Sequence, residues 1–178
     1  MLYLLVSLIF MLSSALYAQR SMHVNIAQQR LYLTDEGKIV KRYPISTSGY
    51  GIGRTSAEQN NNKTPLGRHR IRCKIGAGAP HGTVFKTAIN TKKIAPIFKK
   101  PVPQEQQQDL ITTRIFQLDG LEERNRHSSR RGIWVHGTPY EGNIGTACSH
   151  GCVRMRNKDM CELYELVEPG MILDIVLK

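Results

Sequence analysis

The sequence predicts a mainly β protein, a sandwich or barrel of short strands with one or two short helices. Two patterns carry this expectation. Apolar and polar residues alternate along much of the chain, with turn-forming residues between the runs, while helical spacing is clear only once, near the C-terminus. Strands alternating with helices, the mark of a parallel α/β fold, do not recur. At 178 residues the chain suits one domain, large enough to bury a core without staples.

The chain opens on a distinct segment. Leu2 to Ala18 carries no charge and is rich in Leu, Ile, Val and Phe, yet it falls short of the roughly 20 apolar residues that a membrane span needs. Small residues at Ser13-Ser14-Ala15 and at Ala18 precede polar Gln19-Arg20. Residues 1–18 are therefore expected to be a secretory signal peptide, cut after Ala18 or Ala15, with a single domain over 19–178. No Lys or Arg follows Met1, and Leu16 is a poor residue three places before the Ala18 cut. A retained anchor and a buried N-terminal helix are the alternatives. Cleavage would leave no stable membrane span and an exported domain in the periplasm or cell envelope.

Each later element has its own signal. Met22, Val24 and Ile26 alternate with polar neighbours, as do Leu31 and Leu33, with Gln28-Gln29 between the runs. Asp35-Glu36-Gly37-Lys38 is a turn ahead of Ile39-Val40 and Tyr43-Pro44-Ile45, so residues 22–48 are expected as an antiparallel meander. Gly, Asn and Ser dominate 49–65, a loop. Lys63-Thr64-Pro65-Leu66-Gly67 then leads into a strand at Arg68-His69-Arg70-Ile71-Arg72, with basic residues on one face. Gly76 to Gly82 is flexible. Residues 91–109 contain Pro96, Pro101, Pro103 and the run Gln104 to Gln108, and read as a long irregular segment. Such segments are uncommon in a compact domain unless functional or disordered, which makes this one a candidate lid or substrate-groove wall. Ile111 to Leu118 returns to strand character, 119–132 is a charged loop, and Ile133-Trp134-Val135 runs as a short strand into His136. Asn157 is expected to cap a helix carrying Met160, Leu163, Tyr164 and Val167, which Pro169-Gly170 stops. Met171 to Leu177 closes the chain as a buried strand.

The net charge of +11 lies outside the N-terminal segment and favours anionic partners, or serves solubility alone. Nucleic acid is not the expected ligand of an exported protein, whereas wall peptides carry free carboxylates that a basic groove would attract. Four cysteines, Cys73, Cys148, Cys152 and Cys161, allow three full disulfide pairings; if one thiol stays free for chemistry, at most one pair forms.

The chemistry concentrates between His136 and Arg156, where two histidines and two cysteines fall among glycines at 137, 142, 145 and 151. A free thiol is mostly protonated at neutral pH, and a nearby imidazole can take its proton and hold a thiolate–imidazolium pair. His136, at the end of a strand, and His150, two residues from Cys152, are both candidate bases. Gly151 removes a side chain beside Cys152, so that backbone N–H groups there can face a developing oxyanion. A zinc reading remains beside this one, with Cys148 and Cys152 joined by His136 and His150, although no second paired Cys/His unit is present. A buried, inert Cys152 is the bland alternative.

At these residues the sequence resembles the L,D-transpeptidase catalytic-domain family of bacteria. Ile133-Trp134-Val135-His136-Gly137-Thr138, Ile144-Gly145, Ser149-His150-Gly151-Cys152-Val153-Arg154-Met155 and Asn157-Lys158-Asp159 fall in the family's order and approximate spacing. Lys63-Thr64-Pro65-Leu66-Gly67 and Tyr43-Pro44-Ile45-Ser46-Thr47 resemble its upstream segments. The likeness spans roughly residues 22–176. It implies a peptidoglycan enzyme without a cofactor, acting on stem peptides as a monomer. Cys152 would attack the carbonyl of the L-configured centre of a tetrapeptide stem, D-alanine would leave, and an amine would resolve the thioester to a 3→3 cross-link. Water as acceptor would make it an L,D-carboxypeptidase.

By the same likeness His136 is the general base and later acid, Gly137 orients it through its backbone, and His150 supports. Gly151 and Cys152 supply the oxyanion hole, while Ser149 and Arg154 serve substrate binding, Arg154 holding either a substrate carboxylate or the loop. Cys148 departs from the pattern: it either bridges to Cys152 as a redox gate or simply packs. A non-catalytic wall-binding module and a zinc-stabilised domain are the readings from other classes.

Overall fold

A computed structural model describes residues 20–55 and 61–178 of the chain. The expected signal peptide therefore lies outside the described residues. Among the described residues ten strands and one α-helix form. The meander is β1 (Arg20–Asn25), β2 (Arg30–Asp35) and β3 (Lys38–Ser46), followed by β4 (Gly67–Ile75), β5 (Thr83–Lys86), β6 (Ile89–Ile94) and β7 (Ile111–Gly120). Strands β8 (Trp134–Gly137) and β9 (Val153–Met155), helix α1 (Asn157–Leu166) and β10 (Ile172–Val176) complete it.

The strands run β4-β10-β1-β2-β3-β9-β8-β7, and β7 pairs back onto β4. Eight strands thus close into a ring, which removes the exposed edges an open sheet would present. The first half of β7 also pairs with β5, so the β5–β6 hairpin branches from the ring. Most contacts are antiparallel; β1–β10 and β8–β9 are parallel.

Alternation sets what the ring encloses. Met22 and Val24 of β1, Leu31 and Leu33 of β2, Tyr43 and Ile45 of β3, and Val135 and Val153 share one buried cluster. Met160, Leu163 and Tyr164 of α1 join them, with Val167 just beyond. The helix therefore buries one stripe against the inner face of the sheet.

Two sequence expectations need correction. Residues 91–94 are strand, the end of β6, so the irregular segment begins only at Ala95. The N-cap position of α1 is Arg156, without a side-chain cap; Asn157 is the first helical residue and turns its amide into the protein. The basic strand β4 does alternate as expected, with Arg68, Arg70 and Arg72 outward, but His69 on its inner side is a satisfied core group. Its ring nitrogens meet Gly67 O at 2.9 Å and Ser128 Oγ at 3.0 Å. Among the described residues no helix is long and apolar enough to cross a membrane.

Candidate active site

The loop ahead of β9 is held from three sides. Thr47 O accepts the N–H groups of Cys148 (2.9 Å) and Ser149 (2.8 Å), which moors the loop to the end of β3. Thr64 Oγ1 donates to Gly151 O at 3.0 Å and accepts from Ser48 N at 3.0 Å, so the Thr-Pro segment read in the sequence is a buried clamp. Ser149 Oγ donates to Cys152 O at 2.6 Å and accepts from Gly151 N at 3.2 Å. Ser149 is fully buried, and its hydroxyl is committed to the loop's own backbone. Gly151 has φ of 121°, where a Cβ would stand 3.2 Å from Ile133 Cδ1 and 3.3 Å from Lys63 O, so glycine alone fits there without strain.

The β8–β9 register places the two leading candidates. Val135 faces Val153 and His136 faces Arg154, with the strands parallel. Cys152, one residue before Val153, therefore sits beside Trp134, whose N–H donates to Cys152 Sγ at 3.4 Å. Side chains alternate, so Cys152, Trp134, His136 and Arg154 share one face while Val135 and Val153 take the other. Cys152 and His136 are diagonal neighbours, their Cα atoms about 8 Å apart from strand spacing and rise alone. The thiol donates to Gly132 O at 3.2 Å.

His136 is fully buried. Its Nδ1 meets Gly137 O at 2.7 Å. A carbonyl can only accept, so Nδ1 carries the proton and Nε2 keeps a bare lone pair. That Nε2 is buried with no hydrogen-bond partner. The Gly137 carbonyl thus fixes the orientation of the His136 ring. Burial pushes the imidazole down to about 4, opposed by the bond to Gly137 and the charge of Asp109. Burial likewise pushes the Cys152 thiol up to about 12, with Asp109 adding to the rise. Each shift favours the neutral form of its group near pH 7.

His150 and Arg154 belong to a neighbouring cluster. Arg154 is almost fully buried, and its Nη2 donates to Asp109 Oδ1 at 2.8 Å while its Nη1 donates to Gln107 Oε1 at 2.7 Å and Cys148 O at 3.4 Å. Its bond to Cys148 O ties it to the loop ahead of β9. His150 lies beside it, Nδ1 3.4 Å from Arg154 Nη2, with its ring against Tyr50. Cys148 Sγ contacts Ser46 Oγ at 3.2 Å, and all four cysteines are free thiols. Among the described residues no three His, Cys, Asp or Glu side chains converge as a metal site.

Sequence reasoning missed Asp109, Gln107 and the true place of Asn157. Asp109 and Gln107 lie on the segment expected as a lid, which is fastened to the site along its length. Phe98 stacks on Tyr140 at 5.5 Å, Tyr140 Oη accepts from Gln108 N at 2.8 Å, and Asn143 and Val102 exchange two bonds. The clue was available: an arginine between Val153 and Met155 in a short strand, buried, calls for a carboxylate. Asn157 Oδ1 accepts from the hydroxyls of Thr112 and Thr113, and its Nδ2 donates to Thr138 O and Glu141 Oε1, both at 2.9 Å. It ties β7, the segment after His136 and the helix together.

This ring of strands, with a thiol and an oriented imidazole on adjoining strands, has the architecture of the acyl-transfer domains to which the sequence was likened. The model of the L,D-transpeptidase catalytic domain matches residues 19–175, and the chain belongs to that family. YkuD of Bacillus subtilis strain 168 is 45% identical over 42 residues, 24% of this chain and 26% of that protein. An L,D-transpeptidase from Xylanimonas cellulosilytica superposes with a TM-score of 0.56 at 16% identity, over 88% of this chain and 60% of that one. One from Mycobacterium smegmatis gives 0.54 at 15% identity, over 89% and 58%. The matches thus cover less than two thirds of these relatives' length, and the structural likeness is one of fold.

Proposed function

We propose that the chain is a peptidoglycan L,D-transpeptidase with Cys152 as nucleophile and His136 as general base. The observation that carries this is the bare, buried Nε2 of His136 on the sheet face it shares with the Cys152 thiol. Burial favours the neutral form of both groups, and on this reading Nε2 takes the thiol proton as sulfur attacks the L-centre carbonyl, rather than before it. The developing oxyanion meets the N–H of Cys152 and that of Gly151; the latter's 3.2 Å bond to Ser149 Oγ is long enough for a full negative charge to displace. Imidazolium then protonates the departing D-alanine amine, leaving the thioester. An incoming amine, its proton again taken by Nε2, resolves it to the 3→3 cross-link.

The wall peptide as partner follows from the family and from the basic charge of the chain. The apolar segment over 2–18 supports export, with cleavage after Ala18 or Ala15 and work in the periplasm or cell envelope. Incubating the protein and its C152A variant with disaccharide-tetrapeptide, and analysing products by mass spectrometry, tests the activity. The reading expects D-alanine release and 3→3 dimers from wild type alone. Tripeptide without dimer would make it an L,D-carboxypeptidase, and identical profiles from both proteins would leave only a wall-binding module.

A further inference from the structure

Asp109 joins the cluster of Arg154 and His150 from outside the motif. It sits at the end of the 95–110 segment, and its Oδ1 lies 2.8 Å from Arg154 Nη2 and 3.7 Å from His150 Nδ1. Arg154 faces His136 in the β8–β9 register and follows Cys152 by two residues on the same sheet face. A buried guanidinium at that place would oppose the charging of His136 if nothing balanced it. The fold supplies the balance from a different stretch of chain, through Asp109 for the charge and Gln107 for a second hydrogen bond.

We propose that Asp109 is a positioning residue of the reaction centre, which latches the nucleophile loop through Arg154 and sets the proton balance between Cys152 and His136. This rests on the acyl-transfer reading above.

The electrostatics agree with the geometry. Burial works to raise the Asp109 carboxyl, but the bond from Arg154 and the charges of His136, Arg154 and His150 hold it below the usual carboxylate range. It is therefore ionised at neutral pH. Its negative charge favours the imidazolium of His136 and disfavours the thiolate of Cys152, while Arg154 acts in the opposite sense on both. The groups facing the pair are thus Asp109 from the lid segment, Arg154 from β9, and His150 from the nucleophile loop, with Gly137 O and the Trp134 N–H from β8. At both groups the effect of Asp109 is larger than that of Arg154. Once the sulfur's charge has passed to the substrate oxyanion, the carboxylate still supports the imidazolium that must protonate the leaving amine.

Asp109→Asn keeps an oxygen for Arg154 and removes the charge. Asp109→Glu restores the charge, and Gln107→Ala removes a neutral partner of Arg154 as a control for loosening. The readout is the pH dependence of iodoacetamide alkylation of Cys152, followed by peptide mass spectrometry so that Cys73, Cys148 and Cys161 are scored separately. The proposal expects the Cys152 profile to move to lower pH in D109N, to return in D109E, and to stay in place in Q107A. The acid limb of kcat/KM should move to lower pH in D109N as well, since it reports the free base. Superimposable D109N and wild-type alkylation profiles overturn the proposal, and so does an equal shift in Q107A, which would mean that loosening alone is responsible. A D109N alkylation shift, found together with no turnover of stem peptide by the wild type, would support the coupling to Cys152 and overturn the acyl-transfer reading instead.

Discussion

Substituting Asn157 separates two accounts of that residue. As a helix cap, its loss would cost about 1 kcal/mol, and Asp would replace it freely, since Asp and Asn cap equally well. The structure gives it four side-chain bonds, from Thr112 and Thr113 and to Thr138 O and Glu141. Each contributes about 1 kcal/mol net, and N157A also strands the two buried hydroxyls and the Thr138 carbonyl, so the expected loss is about 3–5 kcal/mol. In a domain of this size that lowers the melting temperature by roughly 10 °C. N157D should be worse than neutral, because a carboxylate oxygen would replace the donor that now faces Thr138 O and the Glu141 carboxylate. Urea unfolding monitored by circular dichroism, with the slope held equal, gives the free energies. A loss under about 1 kcal/mol in N157A, or a wild-type N157D, would refute the reasoning.

The remaining predictions concern the site itself. Stability should fall as the solution is acidified below about pH 6.5 toward 4, because the unfolded chain takes up a proton that buried His136 refuses until about 4. The window corresponds to roughly 3 kcal/mol, and H136Q should flatten that part of a stability–pH curve. Cys152 acts at the other end: its raised value means stability is lost as pH climbs from 9 to about 12, and C152A should blunt the loss. At pH 7 the difference in absorbance near 240 nm between wild type and C152A should show no thiolate; a full thiolate signal would contradict the resting neutral pair. G151A forces a side chain into a left-handed position against Ile133 and the Lys63 carbonyl, and should cost about 1–3 kcal/mol, read by thermal melting, along with Cys152 reactivity.

The meander, the strand into His136 and the amphipathic helix α1 were legible because alternation and helical spacing are local signals. The β5–β6 hairpin was not. Its turn uses Thr87 and Ala88, both with positive φ (50° and 65°), where glycine or asparagine would have announced it. Thr113 conceals itself in the same way: a buried β-branched residue at φ of 71° beside a break in the β7–β8 register, held by its bond to Asn157. The Cys152 and His136 pairing was suggested by residue type and by likeness to a family, but their shared face depends on the parallel register of β8 and β9. Asp109 was out of reach for a plainer reason. It meets Arg154 from 45 positions away, and only a folded chain reveals which carboxylate neutralises a buried arginine.

The central claim is that Cys152 accepts the acyl group of a tetrapeptide stem with His136 taking its proton. Rapid quenching of the protein with disaccharide-tetrapeptide, followed by intact mass and peptide mapping, tests it directly. The account predicts an adduct equal to the substrate less one D-alanine, confined to Cys152, and lost in H136Q. An adduct on another residue, or undiminished acylation of Cys152 in H136Q, would contradict it.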